Sequence, residues 1–218
     1  MHARDVARQL YTRRSRVYHV FVAALGYRQG LRAALRAHAP LRSGMKVLDA
    51  GCGGGLATFA LREALASGGL RPGVIHGFDL TPAMLERFRA AARRRGMADV
   101  TLREADVLHL ETLPEAWRGY DLVVSSAMLE YVPRSRLPDA LRGLRRRLAP
   151  DGALFLFVSR RNLLMRALIG RPWRAELYTR DELAGALAEA GLGRVRFHGF
   201  PGLHRYLDLW GHVVEARA

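Results

Sequence analysis

Short apolar runs rich in β-forming residues alternate with helical stretches through most of this sequence. After Gly44, five such runs are separated by segments long enough for a helix or an extended loop: KVLDA, VIHGFD, VTLREA, YDLVVSS and ALFLFVS. Strands that alternate with helices form parallel sheets, because each crossover returns the chain to the edge where the previous strand began. The pattern therefore predicts an α/β fold built on a parallel sheet.

The carboxyl-terminal part of the chain departs from this alternation. Two further β-rich runs, RVRFHGF and GHVVEARA, follow one another without a helical segment long enough for a crossover. Such neighbours pair in opposite directions, since a parallel pair needs a long crossover connection. The pattern predicts seven strands in all, with the last strand antiparallel.

The segment before Gly44 has a helical pattern. Its apolar residues recur at roughly helical spacing, interrupted by TRRS, at Val6, Leu10, Val17, Phe21 and Leu25. We therefore expect a helical extension over residues 1–44 and a main domain over residues 45–218. The main domain carries an extra segment at residues 160–178, between the fifth predicted strand and the next helix.

The net charge of the chain indicates what kind of partner the protein attracts. The formal net charge of the 218 residues is +15, and Lys46 is the only lysine, so 34 of the 35 basic residues are arginines. Residues 1–44 contain nine arginines and a single acidic residue, Asp5. An excess of this size predicts attraction to an anionic partner such as nucleic acid, a lipid surface or an acidic small molecule.

Cysteine usage and hydropathy bear on the location of the protein. Cys52 is the only cysteine, so neither an intrachain disulfide nor a cysteine metal cluster is available, and we expect no metal. The amino terminus lacks the apolar core of a signal peptide, and the run VYHVFVAAL is about half the ~20 residues needed to span a bilayer. We expect a cytoplasmic protein, with any membrane contact peripheral.

A glycine-rich turn, DAGCGGG, follows the first predicted strand at residues 49–55. Open α/β folds bind ligands at the carboxyl ends of their strands, and glycine lets a ligand lie directly against the backbone. The dinucleotide spacing G-x-G-x-x-G fails, because Leu56 stands where the third glycine is due. The stretch instead fits the spacing D-x-G-x-G-x-G, at Asp49, Gly51, Gly53 and Gly55.

This turn resembles the first motif of class I S-adenosylmethionine (SAM) dependent methyltransferases, and the resemblance continues over roughly residues 45–160. It implies a Rossmann-like, seven-stranded, mostly parallel sheet with helices on both faces, an N-terminal helical lid, and SAM as cofactor on the glycine turn. It also implies further cofactor contacts: the Asp79 carboxylate with the ribose hydroxyls, Leu80 with the adenine face, Asp106 with the adenine amino group, and the Val107 backbone with the adenine ring.

The same resemblance places the acceptor beside the end of the fourth strand. In the motif YDLVVSSAMLEYVP, Ser126 is assigned to the cofactor, and Glu130 and Tyr131 are the candidate catalytic residues. Glu130 is either a general base or a partner of the SAM amino group, and Tyr131 either hydrogen-bonds the acceptor or faces the sulfonium. Tyr18 resembles a lid tyrosine that contacts SAM, although His19 stands where the family has aspartate. Helix capping by Glu130 and packing by the tyrosines are the structural alternatives.

The expected function is methyl transfer from SAM to a small or lipophilic acceptor, such as a quinone precursor, a phospholipid headgroup or a specialised metabolite. An RNA methyltransferase is the first alternative, given the charge. However, SAMLEY lacks the N/D-P-P-Y/F motif of enzymes that methylate exocyclic base nitrogens. A non-catalytic SAM-binding protein and an aminopropyltransferase using decarboxylated SAM are the others. The sequence gives no signal for the oligomeric state.

The segment RRNLLMRALIGRPWR, which begins at residue 160, mixes arginines with large apolar side chains. This composition suits the surface of an anionic membrane, so a membrane is a candidate partner and nucleic acid a less favoured one. We expect the segment to form one basic surface with Arg13, Arg14 and Arg16 around the acceptor entrance. A lid helix over the active site is the alternative interpretation.

Overall fold

A seven-stranded sheet organises the computed structural model, which describes residues 26–170 and 175–218. Its strands are β1 (Lys46–Ala50), β2 (Val74–Asp79), β3 (Val100–Glu104), β4 (Tyr120–Ser126), β5 (Leu148–Ser159), β6 (Arg194–His198) and β7 (Gly211–Arg217). Their order across the sheet is β3-β2-β1-β4-β5-β7-β6. The first five strands pair in parallel, and β7 is antiparallel to both β5 and β6, which confirms the predicted fold class.

The longer helices of the described chain are α1 (Tyr27–His38), α2 (Leu56–Ser67), α3 (Pro82–Arg94), α4 (Leu137–Arg145) and α5 (Arg180–Glu189). Local sequence explains several of their starts. Helix α3 begins with a proline, which needs no amide hydrogen at that position. Helix α5 begins with a capping box between Thr179 and Glu182. In the part of the chain that is described, no helix is long and apolar enough to cross a membrane.

Helices cover both faces of the sheet, and neighbouring residues of β1 point to opposite faces. Val47 belongs to the apolar cluster that α1 and α2 complete, whereas Leu48 belongs to the cluster that α4 and α5 complete. Both side chains are fully buried. Strands covered on both faces need apolar residues at successive positions, which explains the nearly continuous apolar runs in the sequence.

Helix α1 is the described helix of the predicted N-terminal extension. Its residues Leu31 and Leu35 are fully buried in the cluster shared with α2. Gly30 lies so close to Leu207 that a Cβ at this glycine would overlap that side chain. Helix α1 is therefore packed into the core. Residues 1–25 of the extension lie outside the described residues, so the lid remains a prediction.

The carboxyl ends of the parallel strands meet at one edge of the sheet, here called the carboxyl edge. Strand β4 ends there at Ser126 and β5 ends there at Ser159. Strand β7 runs in the opposite direction, so its first residue, Gly211, pairs with Ser159 at this same edge. The segment after β5 therefore begins at the carboxyl edge, and the segment before β7 ends there. The glycine turn after β1 lies at this same edge.

Candidate active site

Three residues of the glycine turn have a left-handed backbone: φ is 70° at Gly51, 49° at Gly53 and 91° at Gly55. A Cβ on Gly51 would overlap the Met128 side chain, and one on Gly55 would lie 2.6 Å from the ring of Phe88. Protein packing alone therefore requires those two glycines. A Cβ on Gly53 would meet nothing closer than 3.5 Å. The turn is open at Gly53, where a ligand can lie against the backbone.

Asp79 ends β2, and its carboxylate faces the glycine turn. Its Oδ2 accepts a hydrogen bond from the Gly53 backbone N–H (2.9 Å), and its Oδ1 accepts one from the Thr81 backbone N–H (2.8 Å). Burial raises the pKa of this carboxyl above its ordinary value, although the two backbone bonds oppose the rise. A carboxylate has about four acceptor positions, so each oxygen keeps capacity for a ligand hydroxyl.

Asp49 lies beneath the turn and is almost fully buried. Its Oδ2 accepts hydrogen bonds from the backbone N–H (3.1 Å) and the hydroxyl (2.6 Å) of Thr58, in the first turn of α2. Among the described residues its Oδ1 has no hydrogen-bond partner. Burial raises the pKa of Asp49 to about 7, and the neighbouring charge of Asp79 contributes to the rise. Asp49 therefore anchors the turn to α2 and retains one oxygen for a further partner.

The predicted adenine contacts lie beside the end of β2. The backbone N–H of Ala105 donates to the backbone oxygen of Asp79 (3.1 Å), which holds the loop after β3 against β2. Asp106 Oδ1 accepts a hydrogen bond from the backbone N–H two residues further on (2.9 Å). Val107 is buried and Leu80 is partly exposed. The structure thus brings the adenine and ribose candidates to adjoining strand ends.

The end of β4 joins residues that are distant in the sequence. The Ser126 hydroxyl lies 3.1 Å from the hydroxyl of Tyr27, the first residue of α1. Burial raises the pKa of Tyr27, so its hydroxyl stays protonated. The next residue of the chain, Ala127, has φ of 55°, a conformation that costs a non-glycine residue about 1 to 2 kcal/mol. Backbone strain of this kind clusters at functional sites.

Glu130 lies in the 3-10 turn Leu129–Tyr131 and is 2% exposed. Its Oε1 accepts a hydrogen bond from the Ser159 backbone N–H (2.7 Å), which ties the turn after β4 to the end of β5. This carboxylate therefore binds the end of a strand. Within the described residues its Oε2 has no hydrogen-bond partner, and burial raises the pKa of Glu130. Tyr131, beside it, is partly exposed.

A second buried polar group accompanies Glu130. The Tyr178 hydroxyl also has no hydrogen-bond partner among the described residues, and its side chain is 1% exposed. Burial raises the pKa of Tyr178, and the charge of Glu130 adds to the rise. The backbone N–H of Tyr178 donates to the oxygen of Ser159 (3.3 Å), the residue whose N–H binds Glu130. Two buried polar groups able to carry a proton thus flank the end of β5.

Sequence reasoning did not single out Tyr27, Ala127 or Tyr178. Tyr27 stands at the start of a helix pattern, which gives no sign of a contact with a serine 99 positions away. Alanine likewise gives no signal for a left-handed backbone. Conversely, the predicted contact residue Tyr18 lies outside the described residues. No group of three or more His, Cys, Asp and Glu side chains in the described residues could hold a metal ion.

Comparisons with known proteins complete the description of this site. Residues 47–152 match the family described as "Methyltransferase domain". The chain is 36% identical to aklanonic acid methyltransferase DauC of Streptomyces sp. (strain C5) over 104 residues, which are 48% of this chain and 42% of that protein. It is 35% identical to a ubiquinone biosynthesis O-methyltransferase of Neisseria meningitidis serogroup C (strain 053442) over 127 residues, 57% of this chain and 48% of that protein. The chain thus spans about half the length of these curated relatives.

The fold is also found among solved structures. Magnesium protoporphyrin IX methyltransferase (ChlM) from Synechocystis PCC 6803 with bound SAM aligns with a TM-score of 0.70 and 16% sequence identity. The alignment covers 100% of this chain and 98% of that one. At this level of identity the match supports the shared fold alone.

Proposed function

This chain carries a methyltransferase domain of the class I SAM-dependent family, and we propose that it transfers a methyl group from SAM to a small or lipophilic acceptor. The observation that carries the proposal is the opening at Gly53, which the Asp79 carboxylate borders at 2.9 Å. A glycine turn next to an acidic strand end suits a nucleoside, because the turn accepts close contact and the carboxylate accepts hydroxyl hydrogen bonds.

The residues of the carboxyl edge fit the predicted cofactor. In our proposal Gly51, Gly53 and Gly55 shape the turn, and Asp79 holds the ribose hydroxyls with its remaining acceptor positions. Leu80 packs on adenine, while Asp106 and the Val107 backbone bind its polar edge. Asp49 has a buried oxygen without a partner among the described residues, and it can accept a further hydrogen bond from the amino acid part of the cofactor. Ser126 and, from the sequence, Tyr18 complete the set.

Methyl transfer makes limited demands on the protein, since SAM supplies a methyl group already activated on a sulfonium. The protein must hold the nucleophile in line with this methyl group and exclude water, and ideal positioning can contribute on the order of 7 to 11 kcal/mol. We propose that Tyr131 orients the acceptor and that Glu130 takes up the proton that the acceptor loses. A carboxyl whose pKa is raised by burial suits this role, because a general base works best near the ambient pH.

Oxygen is the acceptor atom that we favour, because the relatives include a ubiquinone biosynthesis O-methyltransferase and a malonyl-[acyl-carrier protein] O-methyltransferase. A quinone precursor, a specialised metabolite and a phospholipid headgroup remain the candidate acceptor classes. An anionic membrane is the partner that we propose beside the acceptor, on the grounds of the arginine-rich segment after β5. The RNA alternative has less support, since no relative named here acts on nucleic acid.

Calorimetry with the demethylated product, S-adenosylhomocysteine, tests the proposed site. Asp79→Ala should weaken binding by roughly 1 to 3 kcal/mol, the scale of a charge-assisted hydrogen bond. Asp151→Ala is the matched control, because Asp151 is an exposed carboxyl at the start of the buried part of β5. Unchanged affinity in Asp79→Ala would remove this residue from the site. Tight binding of NAD by the wild-type protein would overturn the ligand assignment itself.

A further inference from the structure

Exposed apolar side chains are concentrated in two short segments of the described chain. The described residues include seven exposed large hydrophobic side chains. All of them except Val74 belong to the segment after β5 or to the segment before β7. Leu203 is 93% exposed and Leu163 is 83% exposed. The six residues are Leu163, Leu164, Leu168, Leu203, Tyr206 and Leu209. A concentration of this kind marks an interaction surface, whereas scattered exposed leucines do not.

Hydrogen bonds join the two segments into one surface. The Asn162 side-chain amide donates to the backbone oxygen of Leu209 (2.7 Å). The Arg160 backbone N–H donates to the oxygen of Trp210 (3.0 Å), and the Arg160 guanidinium donates to the oxygen of Asp208 (3.2 Å). The sequence pattern singles out only the first segment, so the second half of this surface becomes visible only in the fold.

Arginines accompany the apolar side chains. Arg166 and Arg205 are exposed, and neither forms an ion pair with any described residue. Arg161 in the same region differs from these two arginines, because it forms an ion pair with Glu182 at 2.8 Å. The nearby carboxylate of Asp208 is directed inward, where it accepts the Phe200 backbone N–H at 2.8 Å. The surface therefore combines protruding leucines with two arginines that form no ion pair within the described residues.

This surface lies at the carboxyl edge, next to the ends of β4 and β5. Tyr206 approaches the start of α1, because a Cβ on Gly26 would lie 3.2 Å from its hydroxyl. The residue after Gly26 is Tyr27, which reaches Ser126 at the end of β4. A molecule that rests on the surface is therefore close to the strand end where the candidate catalytic residues lie.

We propose that these residues form a docking face that binds the surface of an anionic bilayer and receives a lipophilic acceptor from it. The docking face consists of the six exposed apolar residues together with Arg166 and Arg205. Protruding leucines suit insertion among lipid chains, and arginines beside them suit anionic headgroups. This inference rests on the proposed methyltransferase function and identifies its acceptor as an amphiphile that partitions into membranes.

Vesicle flotation of the full chain tests the docking face. Wild-type protein should float with vesicles of phosphatidylglycerol and phosphatidylcholine and not with phosphatidylcholine alone. The variant Leu163→Ser/Leu203→Ser should lower the partition coefficient at least about tenfold, because both side chains would lose their burial in lipid. Arg166→Gln/Arg205→Gln should lower it by roughly fivefold for each charge removed. All four side chains are exposed, so the fold should persist.

Arg93→Gln/Arg94→Gln is the charge-matched control. These exposed arginines end α3, which returns the chain to the edge of the sheet opposite the docking face. The control should float like the wild type, and an equal loss in the control would overturn the proposal. Absence of flotation with anionic vesicles, or full flotation of the leucine variant, would also overturn it. Sub-micromolar RNA binding in a gel shift, combined with absent flotation, would replace the membrane by nucleic acid.

Two further measurements separate this inference from the proposed function. All docking-face variants should bind S-adenosylhomocysteine with wild-type affinity, and a wild-type protein that floats without binding it would contradict the methyltransferase proposal alone. Incubation with methyl-labelled SAM and a cell extract should place the label in the organic phase. Label confined to the aqueous phase would overturn the assignment of a membrane-partitioned acceptor.

Discussion

The two halves of the carboxyl edge are built from different kinds of contact. In the cofactor half, at the ends of β1 and β2, backbone groups of the glycine turn and of the following helix hold the acidic side chains. Asp49, for example, binds Thr58 only nine residues further on. In the acceptor half, at the ends of β4 and β5, partners come from distant parts of the chain. Tyr27 and Ser126 are 99 residues apart, whereas Asp79 and Gly53 in the cofactor half are 26 residues apart.

This difference explains why the cofactor half has a recognisable motif and the acceptor half does not. The glycine turn needs space for a ligand at Gly53 and close packing against side chains at Gly51 and Gly55. These requirements fix the residue types at a constant spacing. A contact between two elements of the fold can be supplied by any side chain of suitable length. In this chain the contact between Tyr27 and Ser126 depends on the packing of two distant elements rather than on a local motif.

Replacing glycines of the turn should give the largest effect and separate packing from ligand contact. Gly55→Ala introduces a Cβ 2.6 Å from Phe88 and forces alanine to a φ of 91°. We expect it to lower the free energy of unfolding by about 2 to 5 kcal/mol. Gly53→Ala, with room for the Cβ, should cost about 1 to 2 kcal/mol and yet lose most cofactor binding. Denaturant unfolding and calorimetry measure the two quantities. Equal stability in both variants would contradict this division.

The pH dependence of stability should reveal Asp49. Its pKa is raised to about 7 in the folded protein from an ordinary value of 3.8, so the folded state binds the proton more tightly. The resulting contribution to stability is complete below the ordinary value and is lost as pH rises towards 7. We expect Asp49→Asn to remove a pH-dependent loss of at most about 4 kcal/mol between pH 4 and pH 7, measured by denaturant unfolding. An unchanged slope in this variant would assign the dependence to other groups.

Removing the Glu130 charge should affect turnover more than stability. Gln at this position can still accept the Ser159 N–H through its oxygen but cannot take up a proton. We expect Glu130→Gln to lower kcat about a hundredfold at saturating SAM, at the lower end of general-base contributions. Glu215→Gln is the control, because Glu215 is a buried carboxylate paired with His198 and Arg217 away from the site. Full rates in both Glu130→Gln and Tyr131→Phe would leave positioning alone to account for the reaction.

The fold was largely predictable, because apolar runs indicate the strands. The lengths of the segments between these runs indicate which strands are parallel and which are antiparallel. The antiparallel last strand follows from the short connection between the RVRFHGF and GHVVEARA runs, and the structure confirms it. The packing of α1 was not predictable in the same way. An amphipathic helix before the first strand can act as a lid or join the core, and only the fit of Leu31 and Leu35 against α2 decides the position of α1.

The geometry of the candidate site was predictable where a motif fixes the spacing of residues, as for Asp79, which lies against Gly53 of the glycine turn. It was not predictable where geometry depends on a strained residue or a distant partner. Ala127 has a left-handed backbone without a glycine to signal it, and the charge of Glu130 affects the pKa of Tyr178 only because the fold brings the segment after β5 near the turn after β4. The roles of all the predicted cofactor and catalytic residues, Tyr18, Glu130 and Tyr131 among them, remain predictions.

The smallest expected effect concerns the hydroxyl pair that joins α1 to the acceptor half. Tyr27→Phe removes the partner of the Ser126 hydroxyl, which lies 3.1 Å away, and keeps the aromatic ring. We expect a loss of about 1 kcal/mol in the free energy of unfolding, the usual net value of one hydrogen bond. Because Ser126 lies at the end of β4, beside the strained Ala127, we also expect the KM for the acceptor to rise while kcat changes little.

Tyr120→Phe distinguishes this positioning role from a simple loss of stability. It removes the hydroxyl that lies 2.7 Å from His76 Nδ1, at the start of β4 and therefore at the opposite edge of the sheet. Both variants should lose similar stability, since each loses one hydrogen bond from a tyrosine hydroxyl. A rise in KM for Tyr27→Phe alone would show that α1 positions the acceptor half. Equal kinetic changes in the two variants would mean that the Tyr27 contact contributes to the fold and not to the site.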